Sequence, residues 1–309
     1  MPSLPSLEQS PASDRAAPPL IAVVGPTASG KSDWALQIAC RLGGEIVNID
    51  SRQIYRRLDI GTAKPTAEMR SEIPHWCLDL IDPSETYSLG QYLAAAREAI
   101  ADIHARGLRA VVAGGAGQHM RALLEGWQTP PVEPDLILRA EHERYASQHG
   151  AGALHRRLAQ IDPVAAARIP ANNVRRVSRA LEVHELSGVP ISEWQRRRQP
   201  VSFTAVAPAI EREALDERIA ARTREMFAAG FVQEVKNLLG EGVPESAPGF
   251  DSIGYREVLN HICGEIDLAT AIESVAQQTR RLARRQGAWF RRDDPKIHWD
   301  TSIPFALLE

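Results

Sequence analysis

A chain of 309 residues, 44% of them hydrophobic, can bury a full core and suits one large domain carrying a smaller one. Its formal charge of −3 excludes a surface coated in positive charge, so any nucleic-acid binding has to rest on local basic faces. Cys40, Cys77 and Cys263 form no CxxC pair and the nine histidines no HExxH, so neither a disulfide framework nor a structural zinc is expected, and a reducing, cytoplasmic setting is.

Residues 1–19 mix Pro, Ser, Ala and Asp without a continuous apolar stretch and read as a disordered tail, and no run is long enough to span a bilayer. Leu20 to Val24 is short, apolar and β-branched and breaks at Gly25-Pro26, the pattern of a buried parallel strand. From Trp34, Ala35, Ile38, Ala39 and Leu42 recur at helical spacing up to the stop Gly43-Gly44, and a second strand is expected from Glu45 to Asp50. Ser88 and Gln91 have capping-box spacing ahead of a helix that Gly107 closes, before a strand at Leu108 to Ala113. Strands alternating with helices predict an α/β fold, a P-loop NTPase-like doubly wound parallel sheet. After about Gln128 the sequence turns Ala- and Arg-rich and helical, then returns to β-rich residues at Val201 to Val206. The expected organisation is a tail (1–19), the first part of the core (20–127), an inserted, mostly helical smaller domain (128–200), and completion of the core with a basic C-terminal helix (201–309). Beyond Val206 the reading is mostly amphipathic helix.

Gly25-Pro26-Thr27-Ala28-Ser29-Gly30-Lys31-Ser32 fits G-x-x-x-x-G-K-[ST] between a strand and a helix. Backbone amides and the helix N-terminus suit oxyanions, Lys31 adds a point charge, and the Ser32 hydroxyl can ligate Mg2+. Such a loop does not say which diphosphate or triphosphate it holds, and fold analogy alone points to a kinase or ATPase. Asp50 falls at the carboxyl edge of the sheet beside this loop, placed either for chemistry or as an outer magnesium partner or helix cap. At about 100° per residue, Arg280, Arg281, Arg284, Arg285, Arg291 and Arg292 fall within about 140° of one helix, opposite Val275, Leu282, Trp289 and Phe290. An arginine face of this kind suits phosphate contacts.

Taken together, GPTASGKS (25–32), DSRQIY (50–55), the Gly114-Gly115 pair, RRVSRALEV (175–183), RIAARTREMFAAGF (218–231), IGYRE (253–257) and RRQGAWFR (284–291) resemble the tRNA dimethylallyltransferase (tRNA isopentenyltransferase) family, in the family's order. The resemblance implies transfer of a dimethylallyl group from dimethylallyl diphosphate to N6 of the adenosine 3′ of the anticodon, with Mg2+ as cofactor. It implies Asp50 as the carboxylate that takes the amine proton, Arg222 (with Arg218 as neighbour) against the diphosphate, and Thr27 near the donor or the amine. Contacts to the tRNA anticodon stem loop would come from Ser51, Arg52, Gln53, Tyr55, Ala116, Arg139, Arg175, Arg176, Arg179, Arg280, Arg284, Arg285, Gln286, Trp289 and Arg291. A monomer is the expected state. The main alternative is a P-loop nucleotide or small-metabolite kinase, which leaves the basic segments unexplained.

The chain departs from the family pattern where GGTxLY is usual: it has Gly114-Gly115-Ala116-Gly117-Gln118-His119, lacking a threonine hydroxyl and a tyrosine. Asp251 precedes IGYR in place of an arginine, Arg175 replaces a glutamine, and Gly287 and Ala288 replace larger residues.

Overall fold

The structure, a computed structural model, describes residues 18–309, so most of the tail expected at 1–19 lies outside the described residues. β1 (Leu20–Val24) leads into α1 (Lys31–Leu42) and β2 (Gly44–Asn48). After α2 (Ala67–Glu72) and β3 (His75–Trp76) come α3 (Leu89–Ala105), β4 (Arg109–Gly114) and α4 (Gly117–Leu124). Five helices come next, α5 (Leu136–His149), α6 (Ala151–Ile161), α7 (Pro163–Ala166), α8 (Val174–Ser187) and α9 (Ile191–Arg196). The chain ends with β5 (Phe203–Pro208), α10 (Arg212–Ala228), α11 (Phe231–Gly240), α12 (Tyr255–Ile262), α13 (Leu268–Trp289) and β6 (Ile297–Asp300).

The strands form one parallel sheet in the order β3-β2-β4-β1-β5-β6, the α/β architecture expected from the alternation of strands and helices. β1 is buried along its whole length because its two faces feed different cores. Leu20, Ala22 and Val24 join the large cluster with α3, α4, α11 and α12, while Ile21 and Val23 pack with Trp34, Ala35 and Ile38 of α1. The period of two along a strand makes this division, and a run without polar residues records it in the sequence. The Ser88–Gln91 capping box forms on α3 as its spacing indicates.

Helices α5 to α8 have a separate hydrophobic cluster built on Leu154, Leu158, Val177, Ala180 and Leu181. The chain enters and leaves this helical excursion through paired segments, where Gln199 N–H donates to the Gly126 carbonyl at 2.9 Å and Gln128 N–H to the Arg197 carbonyl at 3.2 Å. Two strands went unread in the sequence. β3 has two residues, and β6, in a stretch expected to be helical, is a half-exposed edge strand whose residues lack an apolar run. Among the described residues no helix is long and apolar enough to cross a membrane.

The segment between β2 and α2 is irregular but firmly tied. Glu234 of α11 accepts hydrogen bonds from the amides of Asp59 (2.9 Å), Ile60 (2.6 Å) and Gly61 (3.2 Å) and from the Tyr255 hydroxyl (2.7 Å). Lys64, 8% exposed, donates to the Tyr55 carbonyl and to Asp59 and Asp79. Arg57 and Ala63 hold positive φ here, as do Cys77 and Asp79 in the stretch after β3 that bonds to it, a conformation costing about 1 kcal/mol or more each unless the surroundings impose it. Four bonds to one carboxylate supply much of that constraint, so Glu234→Ala is expected to destabilise the protein by about 2–3 kcal/mol in urea unfolding. Amide exchange at residues 59–61 should rise in the same variant while exchange in β1 and β4 tracks global stability only.

A phosphate-binding loop and a carboxylate in one cavity

Residues 25–32 curl between β1 and α1 with φ of 134° at Gly25, 63° at Ala28 and 98° at Gly30. Gly30 caps α1 in the left-handed region, which needs a residue without Cβ, and so turns the first amides of the helix toward the cavity. Ala28 occupies the same region with a side chain, local strain of the kind that collects at binding loops. Lys31 folds back so that Nζ donates to the Pro26 carbonyl at 2.6 Å. Ser32 lies exposed on the first turn of α1 and lines the same cavity.

Two helices from the far end of the chain close over this loop. Arg222 of α10 donates to Thr27 Oγ1 at 3.4 Å, and Arg218 to the Ser29 carbonyl at 3.5 Å. From α13, Gln286 Oε1 accepts the Thr27 N–H at 2.7 Å. Gly115 makes that approach feasible, since a Cβ there would lie 2.4 Å from Gln286 Nε2. Burial pushes the Lys31 pKa down to about 8; the nearby Arg222 cation adds to this and Asp50 opposes it. Burial also lowers Arg222, against the pull of Asp50. Two desolvated cations facing each other favour an anion between them.

Asp50 comes directly after β2. Its Oδ1 accepts the Arg52 N–H at 2.8 Å, and its own N–H donates to the Tyr92 hydroxyl at 3.2 Å, which in turn donates to the Asn48 carbonyl. Asp50 is therefore held at the sheet's carboxyl edge, its carboxylate by the Arg52 amide and its own backbone amide by a buried tyrosine. Asp50, Thr27, Ala28, Gly30, Lys31, Ser32 and Arg222 line one cavity of about 1030 Å³. Ser51, Arg52, Gln53, Ala116, Arg285, Gln286 and Trp289 line it too. Gln53 is partly committed, its Nε2 donating to the Thr62 and Ala63 carbonyls at 3.0 and 3.1 Å. Tyr55 is not brought there, being 5% exposed in the main core and bridged to Ile81.

The arginine face expected over 280–292 is shorter than its spacing suggested. Helix α13 ends at Trp289, so Arg291 and Arg292 leave the helical arc and pair with Asp293 and Glu211. Arg280 reaches Glu273 at 3.2 Å, while Arg284 and Arg285 are exposed and pair with no described residue. Trp289, placed by periodicity on the packing side, is 39% exposed and lies over Gly117, where a Cβ would fall 2.2 Å from its ring. In the helical excursion, Arg175 and Arg176 are exposed on the first turn of α8. Arg139 and Arg179 instead grip the fully buried Glu182, at 2.9 and 2.5 Å. Burial alone would raise that carboxyl, but the two guanidinium groups and the Asp135 amide hold it below the usual carboxylate range.

Tyr92 and Asn48 carry no signal in the sequence because their bonds run to backbone atoms of another element, which leaves no motif. Gln286, read from the sequence as a tRNA contact, is 8% exposed and sits against the loop. Gln286→Ala is therefore expected to weaken binding of inorganic diphosphate about tenfold by calorimetry, the worth of roughly one lost hydrogen bond. Gly115→Ala should act in the same direction by pushing Gln286 away.

Comparison with known proteins leads to the same architecture. A family model described as "IPP transferase" matches residues 53–293, and one described as "Isopentenyl transferase" matches 18–76. A tRNA dimethylallyltransferase of Roseiflexus sp. (strain RS-1) is 49% identical over 276 residues, covering 89% of this chain and 90% of the relative. The crystal structure of a full-length tRNA isopentenylpyrophosphate transferase from Bacillus halodurans is 36% identical, with TM-score 0.65, covering 91% of this chain and 89% of that one. A eukaryotic dimethylallyltransferase, captured crystallographically acting on tRNA, is 26% identical with TM-score 0.77, covering 91% and 73%. With matches of this extent along a chain whose P-loop and aspartate share one cavity, the protein belongs to the IPP transferase family, the tRNA dimethylallyltransferases among its members.

Proposed function

We propose that this protein transfers the dimethylallyl group of dimethylallyl diphosphate to N6 of the adenosine 3′ of the anticodon in tRNA, releasing diphosphate. The observation that carries this reading is the single cavity that joins a cationic phosphate loop to the Asp50 carboxylate. As the allylic carbon–oxygen bond breaks, negative charge grows on the leaving diphosphate, where loop amides, Lys31 and Arg222 can meet it. The adenine amine is a weak nucleophile, and Asp50 takes its proton as the carbon–nitrogen bond forms. Thr27, held by Arg222 and Gln286, keeps the loop in register with both groups.

The Ser32 hydroxyl bonds to no described residue and lies beside the phosphate loop, a hard oxygen donor of the kind Mg2+ takes together with substrate oxygens. Bound there, Mg2+ would neutralise charge on the diphosphate. Among the described residues no group of three His, Cys, Asp or Glu could form an all-protein metal cage. Residues 128–200 are read as a tRNA-binding domain inserted between 20–127 and 201–309, with the exposed Arg175 and Arg176 among its candidate contacts. The anticodon stem loop would then meet Ser51, Arg52, Gln53 and Ala116 at the cavity and Arg284 and Arg285 on α13. A cytoplasmic monomer completes the reading. A nucleotide or small-metabolite kinase is not favoured, because the family is one of prenyl transferases and the free arginines have no task in a kinase.

Labelled dimethylallyl diphosphate, Mg2+ and an unmodified anticodon stem loop should give label in the RNA; ATP turnover without transfer would overturn the assignment. Asp50→Asn is expected to bind both substrates as the parent does and to slow single-turnover transfer by about 10² to 10⁴. A parental rate with poor binding would make Asp50 a structural residue. Arg284→Ala with Arg285→Ala should weaken stem-loop binding and flatten its dependence on salt by somewhat under about one unit per lost contact. Donor affinity should move far less than tRNA affinity in that pair.

A further inference from the structure

His119 stands in the GGAGQH segment, on the first turn of α4, and lines the cavity that holds Asp50. Its ring packs edge-on against Tyr92, with centroids 4.8 Å apart and planes at 86°. Tyr92 is 1% exposed, and its hydroxyl is the group that bonds the Asp50 amide and the Asn48 carbonyl. The imidazole is thus pinned to the same buried phenol that holds the carboxylate's backbone. His119 bonds through neither ring nitrogen to a described residue, unlike His75, which also lines the cavity and bonds the Ile73 carbonyl.

Its surroundings favour the neutral ring. Burial lowers the His119 pKa, with Asp50 pulling the other way, and the positive end of α4 adds to the bias against an imidazolium. The charged groups that line the cavity from other elements are Lys31 and Asp33 on α1, Arg52 and Lys64 after β2, Arg218, Arg222 and Glu225 on α10, Asp251 ahead of α12, and Arg285 on α13. Of the four carboxylates in the cavity, Asp50 is the one anchored to the tyrosine that His119 packs on, and the one whose charge acts on the ring.

We propose that His119 is a positioning residue for Asp50, leaving the carboxylate free to take the amine proton when neutral and capturing it in an ion pair when protonated. The inference rests on the transfer reaction proposed above. In that reaction the N6 lone pair bonds the allylic carbon, the carbon–oxygen electron pair leaves with the diphosphate, and one N6 proton passes to Asp50. His119 exchanges no electrons in the step; it sets whether Asp50 can accept the proton. Transfer is therefore complete above the His119 midpoint and is lost as pH falls through it.

Two measurements test this, and the first needs no activity. The His119 ring titration, followed by NMR in the parent and in Asp50→Asn, should have its midpoint below about 6.5 and move lower when the carboxylate charge is removed. An unchanged midpoint would show that the two groups do not communicate and would overturn the proposal, whatever reaction the protein performs. The second is single-turnover prenyl transfer from pH 5 to 8.5 with both substrates saturating. The parent should lose rate toward pH 5 in step with the fraction of His119 protonated in the NMR titration, and His119→Tyr, which keeps an aromatic ring against Tyr92, should lose clearly less. His75 also lines the cavity and has its pKa lowered by burial, so His75→Gln must keep the parental profile. The same acid limb in His119→Tyr as in the parent would refute the assignment. A parent that transfers no label at any pH would instead overturn the reaction itself, with the NMR result still deciding the His119–Asp50 coupling.

Discussion

The clasp on Thr27 is the interaction around which the site is organised. Its amide is held by Gln286, 259 residues later, and its hydroxyl by Arg222, 195 residues later. A phosphate-binding loop made only of local turns would be free to adopt several shapes. Here α10 and α13 pack on each other and reach the same loop residue, so the loop's form depends on the last third of the chain being folded. The same helix α13 presents Arg284 and Arg285 outward. Groups proposed to meet RNA and the glutamine that holds the phosphate loop are therefore on one helix.

The second constraint acts on Asp50. A carboxylate at the end of a strand is easily placed, but its orientation depends on the backbone between β2 and α2. That segment contains residues at positive φ and would relax if left alone. The Glu234 carboxylate and the buried Lys64 ammonium hold it against α11 and the core. Tyr92 supplies the last anchor, from inside the sheet packing.

Charge is divided in the same way. Glu182 draws Arg139 and Arg179 inward, because a buried carboxylate without partners would cost several kcal/mol. Arg291 and Arg292 are likewise committed to Asp293 and Glu211. Of the arginines that the sequence pattern placed toward RNA, Arg52, Arg175, Arg176, Arg281, Arg284 and Arg285 form no ion pair with a described residue, and the slight negative net charge hides them.

By itself the sequence determined the features whose cause is local. The apolar run at Leu20 to Val24, the left-handed glycines of the phosphate loop, the capping box at Ser88 and the position of Asp50 after a buried strand all depend on residues within a few places of one another. Tertiary structure decided whatever depends on partners distant in the chain. Periodicity carried the arginine stripe through 292, but the helix ends at Trp289, and only the folded chain shows which arginines meet acids. The edge strands β3 and β6 exist because a neighbour offers hydrogen bonds, which their own residues do not announce. The anchoring roles of Gln286, Tyr92 and Glu234 were out of reach for the same physical reason: a side chain's bond to a distant backbone amide leaves no spacing to read.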